Sequence, residues 1–245
     1  MGPPARDNAD LYVGYANWKN WDSFFRVDPD ASDYFTRECS DIVATGAVIL
    51  EIGFGAGAFL AWAKERGAYV SGTEAIASLV AEAERRGVEV LPVDIERVAK
   101  AHVARFDAVV AFDVFEHFSL TEIVGRLRAI ETMLKPGGHL LLRFPNAQSP
   151  FGLAPQFGDP THRVGLSRGV FEQLIQGSSF EIVRYGGSAR APGRGIVTRV
   201  VRLIRYALQG AIARLLNAIY AQNIPWDAVV VLVLRRTELK AQIRG

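Results

Sequence analysis

The chain has 245 residues, 49% of them hydrophobic and 22% charged, a composition that is typical of one soluble α/β domain with added segments and excludes a largely disordered protein. The net charge of +2 hides an asymmetry, because ten basic and only two acidic residues follow position 186, and this basic part is expected to meet any anionic surface. No apolar run near the carboxyl end is long enough to span a bilayer, the first residues lack the apolar region of a signal peptide, and the single Cys39 excludes an intrachain disulfide. We therefore expect a cytoplasmic protein.

Strands and helices are predicted to alternate from residue 47 onwards. Apolar runs indicate strands covered on both faces, and Gly67 and Gly87 are expected to end the first two helices. The next helix begins at Ser119 with capping-box spacing, and we expect Gly137 and Gly138 to end it. The strands are predicted over 47–52, 68–74, 88–94, 106–113, 139–144, 180–185 and 228–235, and the other helices over 58–66, 75–86 and 167–176. This rhythm predicts an α/β fold with a doubly wound, seven-stranded, mostly parallel sheet.

The stretch "LEIGFGAG", residues 50–57, is typical of a nucleotide-binding turn. Gly53, Gly55 and Gly57 lie between a predicted strand and a helix, where glycines let a ligand approach the backbone closely. Gly53, Gly55 and Ala58 also satisfy the dinucleotide pattern G-x-G-x-x-A, so an NAD-dependent oxidoreductase is an alternative. Glu51 argues against it, because a carboxylate beside this helix N-terminus repels a pyrophosphate and suits a cationic ligand.

Three further acids follow the next three strands. Glu74, at the end of the second strand, can accept hydrogen bonds from both hydroxyls of a ribose. Asp94 ends the third strand, where it can accept from the exocyclic amine of adenine, and Asp113 ends the fourth strand on the substrate side of the same crevice. With Glu51 they predict a nucleoside site along the carboxyl ends of the strands.

Residues 47–185 resemble class I S-adenosylmethionine-dependent methyltransferases. The resemblance is carried, in the family's order, by "LEIGFGAG", "GTE", "PVDIE", "FDAVVAFDVFEHF" and "LKPGGHLLLRFPN". It implies a Rossmann-like methyltransferase fold with S-adenosylmethionine as cofactor. It also implies that Glu74 holds the ribose, that Asp94 and Ile95 hold the adenine, and that Asp113 borders the methyl-donor pocket. Ala75 is expected to be a further cofactor-binding residue. The methionine moiety would be bordered by Glu51 and by the loop residues Gly53, Phe54, Gly55, Ala56 and Gly57.

Two histidines are candidates for the general base that a hydroxyl acceptor would need. His162 lies in "GDPTHRVGLS" after the fifth strand, with Asp159 placed to orient its ring, and similar Asp-x-Thr-His stretches occur in methyltransferases of glycan and lipid-linked pathways. A hydrogen bond that only stabilises the loop is the alternative. His117 matches a Glu-His pair common in the family, where it packs over the cofactor pocket or acts as base. No spacing specifies a metal site, although Asp113, Glu116, Asp159 and His162 leave a divalent metal as an alternative.

Residues 1–45 are predicted to form an aromatic and helical lid segment ahead of a methyltransferase domain at 46–245. In "YANWKNWDSFF", residues 15–25, we expect Lys19 to pair with the methionine carboxylate and Trp18 or Trp21 to line the acceptor pocket. Packing of these aromatics on the core is the alternative.

Residues 196–223 are predicted to be an insertion between the last two strands. At 100° per residue, most of its arginines fall on one half of the helical wheel and the apolar side chains on the other. This pattern predicts a basic amphipathic helix that docks on an anionic membrane surface. Packing of the apolar face on the sheet or across a homodimer is an equal alternative. Nucleic acid is not expected as a partner, because no aromatics are interleaved with the arginines and the rest of the chain is acidic.

Together these features predict an S-adenosylmethionine-dependent O-methyltransferase of a sugar, polysaccharide or lipid-linked acceptor, cytoplasmic or peripheral on the inner face of the membrane. A small-molecule or quinone-precursor O-methyltransferase is the first alternative. Alternatives of other classes are the NAD-dependent oxidoreductase and a non-catalytic, methyltransferase-like binding module.

Overall fold

The computed structural model describes residues 23–238, and its centre is a seven-stranded sheet in the order β3-β2-β1-β4-β5-β7-β6. The strands are β1 (Val48–Ile52), β2 (Tyr69–Thr73), β3 (Glu89–Val90), β4 (Phe106–Phe112), β5 (Leu134–Pro145), β6 (Phe180–Gly187) and β7 (Val229–Arg236). Strand β7 is antiparallel to its neighbours β5 and β6, and the other pairs are parallel. The predicted doubly wound, mostly parallel α/β sheet is confirmed.

Eight α-helices accompany the sheet in the described part of the chain. They are α1 (Pro29–Cys39), α2 (Ala58–Glu65), α3 (Ala77–Arg85), α4 (Ile95–Val98), α5 (Leu120–Met133), α6 (Leu153–Phe157), α7 (Arg168–Leu174) and α8 (Ile196–Ile219). The sequence explains several of their ends. Ser119 and Glu122 form a complete capping box before α5, and Gly67 and Gly87 follow α2 and α3 with φ of +81° and +70°, the left-handed conformation that ends helices.

Each face of the sheet carries its own apolar core. Neighbouring side chains of a strand point to opposite faces, so Val109 of β4 joins one cluster, with Phe144 and Phe171, while Val110 joins the other. On that second face Phe59 and Trp62 of α2 stack with ring centroids 5.6 Å apart. The sheet is therefore covered on both faces, and its strand ends are left for function.

Strand β5 begins earlier than predicted. Helix α5 ends at Met133, and Leu134 pairs with Phe106 before the register shifts. The prediction that Gly137 and Gly138 end the helix is therefore wrong. Gly137, with φ of +81°, lies in the irregular start of β5, where a bulge absorbs the extra residues. Strand β3 is shorter than predicted because this edge strand pairs only with two residues of β2.

The described part of the predicted lid segment contains α1, and the carboxyl end of this helix is attached to the sheet. The buried Glu38 carboxylate accepts a hydrogen bond of 2.6 Å from the backbone of Ala189 and pairs with Arg184 at 3.1 Å. Asp28 caps the helix through the backbone of Ala31. Helix α1 is therefore anchored through Glu38 to β6 and to the residues that follow it.

Candidate functional site

A cavity of about 390 Å³ lies at the carboxyl ends of β1, β2 and β4. Ligands of open parallel sheets bind at this edge, where the strand order reverses. Strand β1 lies between β2 and β4. The strands β2 and β3 follow on one side of β1, and the strands from β4 onwards lie on the other side. The cavity is lined by the glycine loop after β1 and by residues that follow β2 and β4.

The glycine loop needs residues without a Cβ. Gly53, Gly55 and Gly57 all have positive φ, at +67°, +52° and +75°, where other residues are strained. A Cβ at Gly53 would lie 2.8 Å from Val114, and one at Gly57 would lie 2.7 Å from the ring of Phe25. The backbone N–H of Phe25 also donates to the carbonyl oxygen of Ala56 at 2.7 Å, so the residues just before α1 contact this loop.

Glu51 is the most unusual side chain of the cavity wall. It is only 4% exposed, and its Oε2 has no hydrogen-bond partner among the described residues. Burial, reinforced by the charge of Glu74, raises the pKa of Glu51 well above its usual value, although Arg143 and a backbone hydrogen bond from Leu60 oppose this. A buried carboxyl with an unsatisfied oxygen in the wall of a cavity marks the place of a ligand donor.

Glu74 holds the glycine loop against the end of β2. Its Oε2 accepts from the backbone N–H of Gly55 at 2.9 Å, and its Oε1 accepts from Ala75 and Ile76 at 2.7 and 2.9 Å. The sequence predicted a ribose contact here and missed this structural task. A carboxylate offers about four acceptor positions, so the two tasks are compatible.

Asp113 and Arg143 form an ion pair at the cavity wall. The sequence analysis identified Asp113 as a site residue but missed Arg143. The guanidinium donates to both carboxylate oxygens, with Nε 3.0 Å from Oδ1. Asp113 has φ of +56°, and its backbone N–H donates to the carbonyl of Arg143 at 2.9 Å. Burial acts to lower the pKa of Arg143, but Asp113 and Tyr34 raise it above its usual value. Burial also raises the pKa of Tyr34 to about 12. The missed signal was one arginine within the apolar run of β5.

The candidate catalytic residues lie close together in space, although 44 positions of the sequence separate His117 from Thr161. Nδ1 of His117 lies 2.8 Å from the Thr161 hydroxyl, which in turn donates to the buried carboxylate of Asp159. Since that hydroxyl has one proton and gives it to Asp159, it accepts from Nδ1–H of His117. Nε2 is then the basic nitrogen of His117. The Asp159–Thr161–His117 chain therefore orients an imidazole that lines the cavity.

His162 lies behind His117 and does not line the cavity. The two rings are 4.7 Å apart and nearly perpendicular, and Nδ1 of His162 lies 2.9 Å from the carbonyl oxygen of Gln156. Its Nε2 lies 3.8 Å from Asp159 and 3.9 Å from Glu116. The structure thus places the predicted base His162 in a supporting position and brings His117 to the cavity.

Three side chains of this cluster could also hold a metal ion. One ligand atom each from Glu116, His117 and His162 lies within 4.8 Å of the others. Of the set considered from the sequence, Asp113 is held instead by Arg143.

The two residues predicted to contact adenine do not line the cavity. Asp94 is exposed and pairs with Arg97 at 2.7 Å, and Ile95 is buried in α4. The preceding Val93 lines the cavity. Lys19, Trp18 and Trp21 lie outside the described residues, so the lid stays a prediction.

Residues 50–142 match a protein-family model described as a methyltransferase domain. This segment runs from β1 into β5 and includes the glycine loop, Glu74, Asp113 and His117. The search of the curated proteins found no match.

Solved structures share the architecture over nearly the whole chain. A SAM-dependent methyltransferase from Archaeoglobus fulgidus is 18% identical with a TM-score of 0.59, over 94% of this chain and 100% of that chain. The cyclase SpnF is 21% identical with a TM-score of 0.59, over 93% of each chain. The 1,6-didemethyltoxoflavin-N1-methyltransferase of Burkholderia thailandensis, solved with 1,6-didemethyltoxoflavin and S-adenosylhomocysteine, is 14% identical with a TM-score of 0.58, over 97% and 94%. The chain therefore has the Rossmann-like methyltransferase fold, with a sequence match to the methyltransferase domain family over residues 50–142.

Proposed function

We propose that the protein uses S-adenosylmethionine to methylate an oxygen of a sugar or lipid-linked acceptor. The observation that carries the cofactor assignment is Glu51, a buried carboxyl with an unsatisfied oxygen at the wall of a cavity lined by the glycine loop. When bound, the cofactor supplies a methyl group activated by a positively charged sulfur. The family match over residues 50–142 supports this assignment.

The ionisation of Glu51 is coupled to the charge of the ligand beside it. In the ligand-free protein, burial beside Glu74 favours the protonated carboxyl. A cation beside Glu51 stabilises the ionised form, so binding releases a proton. An anionic pyrophosphate has the opposite effect and favours the protonated form. The direction of proton exchange therefore distinguishes S-adenosylmethionine from NAD, the alternative that the glycine pattern leaves.

The other residues of the wall fit the parts of such a ligand. Glu74 retains about one acceptor position, on Oε2, for a ribose hydroxyl beyond the three backbone hydrogen bonds that it already accepts. Val93 and Phe118 offer apolar surface to a base. The backbone of the glycine loop borders the methionine end, where Glu51 lies.

The Asp159–Thr161–His117 chain supports an oxygen acceptor. A hydroxyl loses its proton when it is methylated, and a general base at the cavity wall removes it. With a proton on Nδ1, His117 offers basic Nε2 for that task, while Thr161 and Asp159 hold the ring. The aromatic walls, which include Phe112 and Phe118, exclude water around the reacting groups.

The acceptor class rests on the "DPTHR" loop and its resemblance to enzymes of glycan and lipid-linked pathways. A small-molecule or quinone-precursor acceptor is the second candidate, favoured by the similarity to the Burkholderia enzyme solved with 1,6-didemethyltoxoflavin.

Calorimetric titration followed by a transfer assay tests the proposal. The wild-type protein should bind S-adenosylhomocysteine, should not bind NAD, and should transfer labelled methyl from S-adenosylmethionine to a cell-envelope extract. The variant His117→Gln should bind the cofactor product normally and lose transfer. Binding of NAD alone would refute the assignment, and cofactor binding without transfer to envelope or small-molecule acceptors would show a non-catalytic binding module.

A further inference from the structure

Helix α8 exposes an apolar face along its whole length. It has 24 residues, and none of them is buried. Eight large apolar side chains are each more than half exposed, namely Ile196, Val197, Val201, Leu203, Ile204, Leu208, Leu215 and Ile219. At 100° per residue, six of them share one face, namely Val197, Val201, Ile204, Leu208, Leu215 and Ile219. Exposed apolar area of this extent marks a binding surface rather than ordinary protein surface.

The opposite, more polar side of α8 holds the helix to the protein. Arg202 pairs with Asp30 at 2.7 Å, and the Tyr206 hydroxyl donates to the carbonyl of Ala191 at 3.2 Å. Near the other end, Asn217 accepts from the indole N–H of Trp226 at 2.8 Å. At 100° per residue, positions 202, 206 and 217 fall on one side, opposite Leu208 and Leu215. The usual orientation of an amphipathic helix is reversed, since its apolar face points away from the core.

The charge around α8 selects an anionic occupant for this face. Residues 188–226 contain six arginines and no acidic residue. Arg205 and Arg214 are exposed and flank the apolar face. A second copy docked helix against helix would bring these arginines together without a carboxylate from the segment to pair them. An anionic lipid surface accepts both the apolar face and the arginines.

The position of α8 relates this face to the site. It connects the carboxyl end of β6 to the start of the antiparallel β7, so both of its attachments lie at the sheet edge that carries the cavity. We propose that α8 docks in the plane of an anionic phospholipid surface, with its apolar face in the headgroup region. Among residues 23–238, no helix is long and apolar enough to cross a membrane, which fits docking in the plane. The proposal concerns lipid binding alone and does not depend on the cofactor.

Vesicle flotation tests the docking. The full-length protein should float with vesicles of phosphatidylcholine and phosphatidylglycerol, and not with phosphatidylcholine alone. The double variant Leu208→Gln/Leu215→Gln should reduce partitioning at least ~tenfold. Its matched control is Tyr69→Gln/Val103→Gln, which removes two similarly exposed apolar side chains near the amino ends of β2 and β4 and should float like wild type.

A charge variant and an oligomer measurement complete the test. Arg205→Gln/Arg214→Gln should weaken partitioning roughly fivefold per arginine, whereas Arg128→Gln, on exposed α5 surface, should not. Thermal melting of every variant should match wild type, because the changed side chains are exposed. Failure of wild type to float, or equal flotation of the leucine variant, overturns the proposal. A dimer in sedimentation velocity that the leucine variant dissociates, without flotation, assigns the face to a second copy and also overturns it.

Discussion

Replacing Glu51 with glutamine tests the cation-binding role with little change of shape. Glu51→Gln keeps nearly the same side-chain volume and cannot ionise, so it offers no negative charge to a bound cation. A lost charge-assisted hydrogen bond costs about 1.5–3 kcal/mol, which corresponds to a roughly 10- to 150-fold weaker affinity for S-adenosylmethionine. Isothermal titration at constant pH measures this change directly. The control Glu65→Gln makes the same chemical change on the exposed end of α2 and should leave the affinity unchanged.

Glu51→Gln should also change how the stability of the ligand-free protein depends on pH. The pKa of Glu51 is raised by folding, so its stabilising contribution is present below its unfolded pKa of about 4.3 and is lost as pH rises through the folded pKa. The free energy of unfolding should therefore fall by up to about 1.4 kcal/mol per pH unit within that window, and Glu51→Gln should flatten this part of the profile.

Proton release on ligand binding is a third measurable consequence of the raised pKa of Glu51. In wild type, the affinity for S-adenosylmethionine should rise with pH up to the raised pKa of Glu51 and then level off. Titrations in buffers with different ionisation enthalpies should show proton release for wild type and much less for Glu51→Gln. Unchanged affinity and unchanged proton exchange in the variant would refute the reasoning.

Three other changes test separate parts of the site. Gly57→Ala should lose about 1–2 kcal/mol of stability from the left-handed backbone and more from the clash with the ring of Phe25. The control Gly87→Ala, with φ of +70° and nothing within 4 Å, should show only the first loss in thermal unfolding. Equal losses in the two variants would contradict the packing argument. Thr161→Val should lower kcat about 10- to 100-fold with little change in cofactor affinity and should alter the pH profile of kcat, while Thr161→Ser restores both; an unchanged profile would remove Thr161 from the positioning of His117. Lys19→Ala should weaken binding of S-adenosylhomocysteine in calorimetry if the predicted lid pairs with its carboxylate, and unchanged affinity would reject that pairing.

Much of the sheet was predictable because its signals are local. The central strands β1 and β4 are largely apolar runs buried on both faces, and Gly67 and Gly87 end the next helices in left-handed conformations. The helix before β5 was extended too far because a glycine pair also suits a bulge, and only the pairing of Leu134 with Phe106 decides between them.

The same distinction applies to the site, where local features were predictable and contacts between distant segments were not. The glycine loop and the acids at strand ends follow from position along the sequence, so their place at one edge was predictable. The sequence contains His117 and Thr161 but cannot show that they touch, and it identifies Arg143 only as a polar interruption of an apolar strand. For α8 the sequence separated the two faces correctly, but only the contacts of Arg202 and Tyr206 show which face meets the protein.

The most direct test of the central claim is a crystal structure of the protein with S-adenosylhomocysteine. We predict ligand density in the cavity between Gly53 and Glu74, with the amino group of the ligand within hydrogen-bonding distance of Glu51. A cavity that stays empty at saturating ligand, or a ligand bound elsewhere with Glu51 out of reach, would contradict the proposed role of this carboxylate.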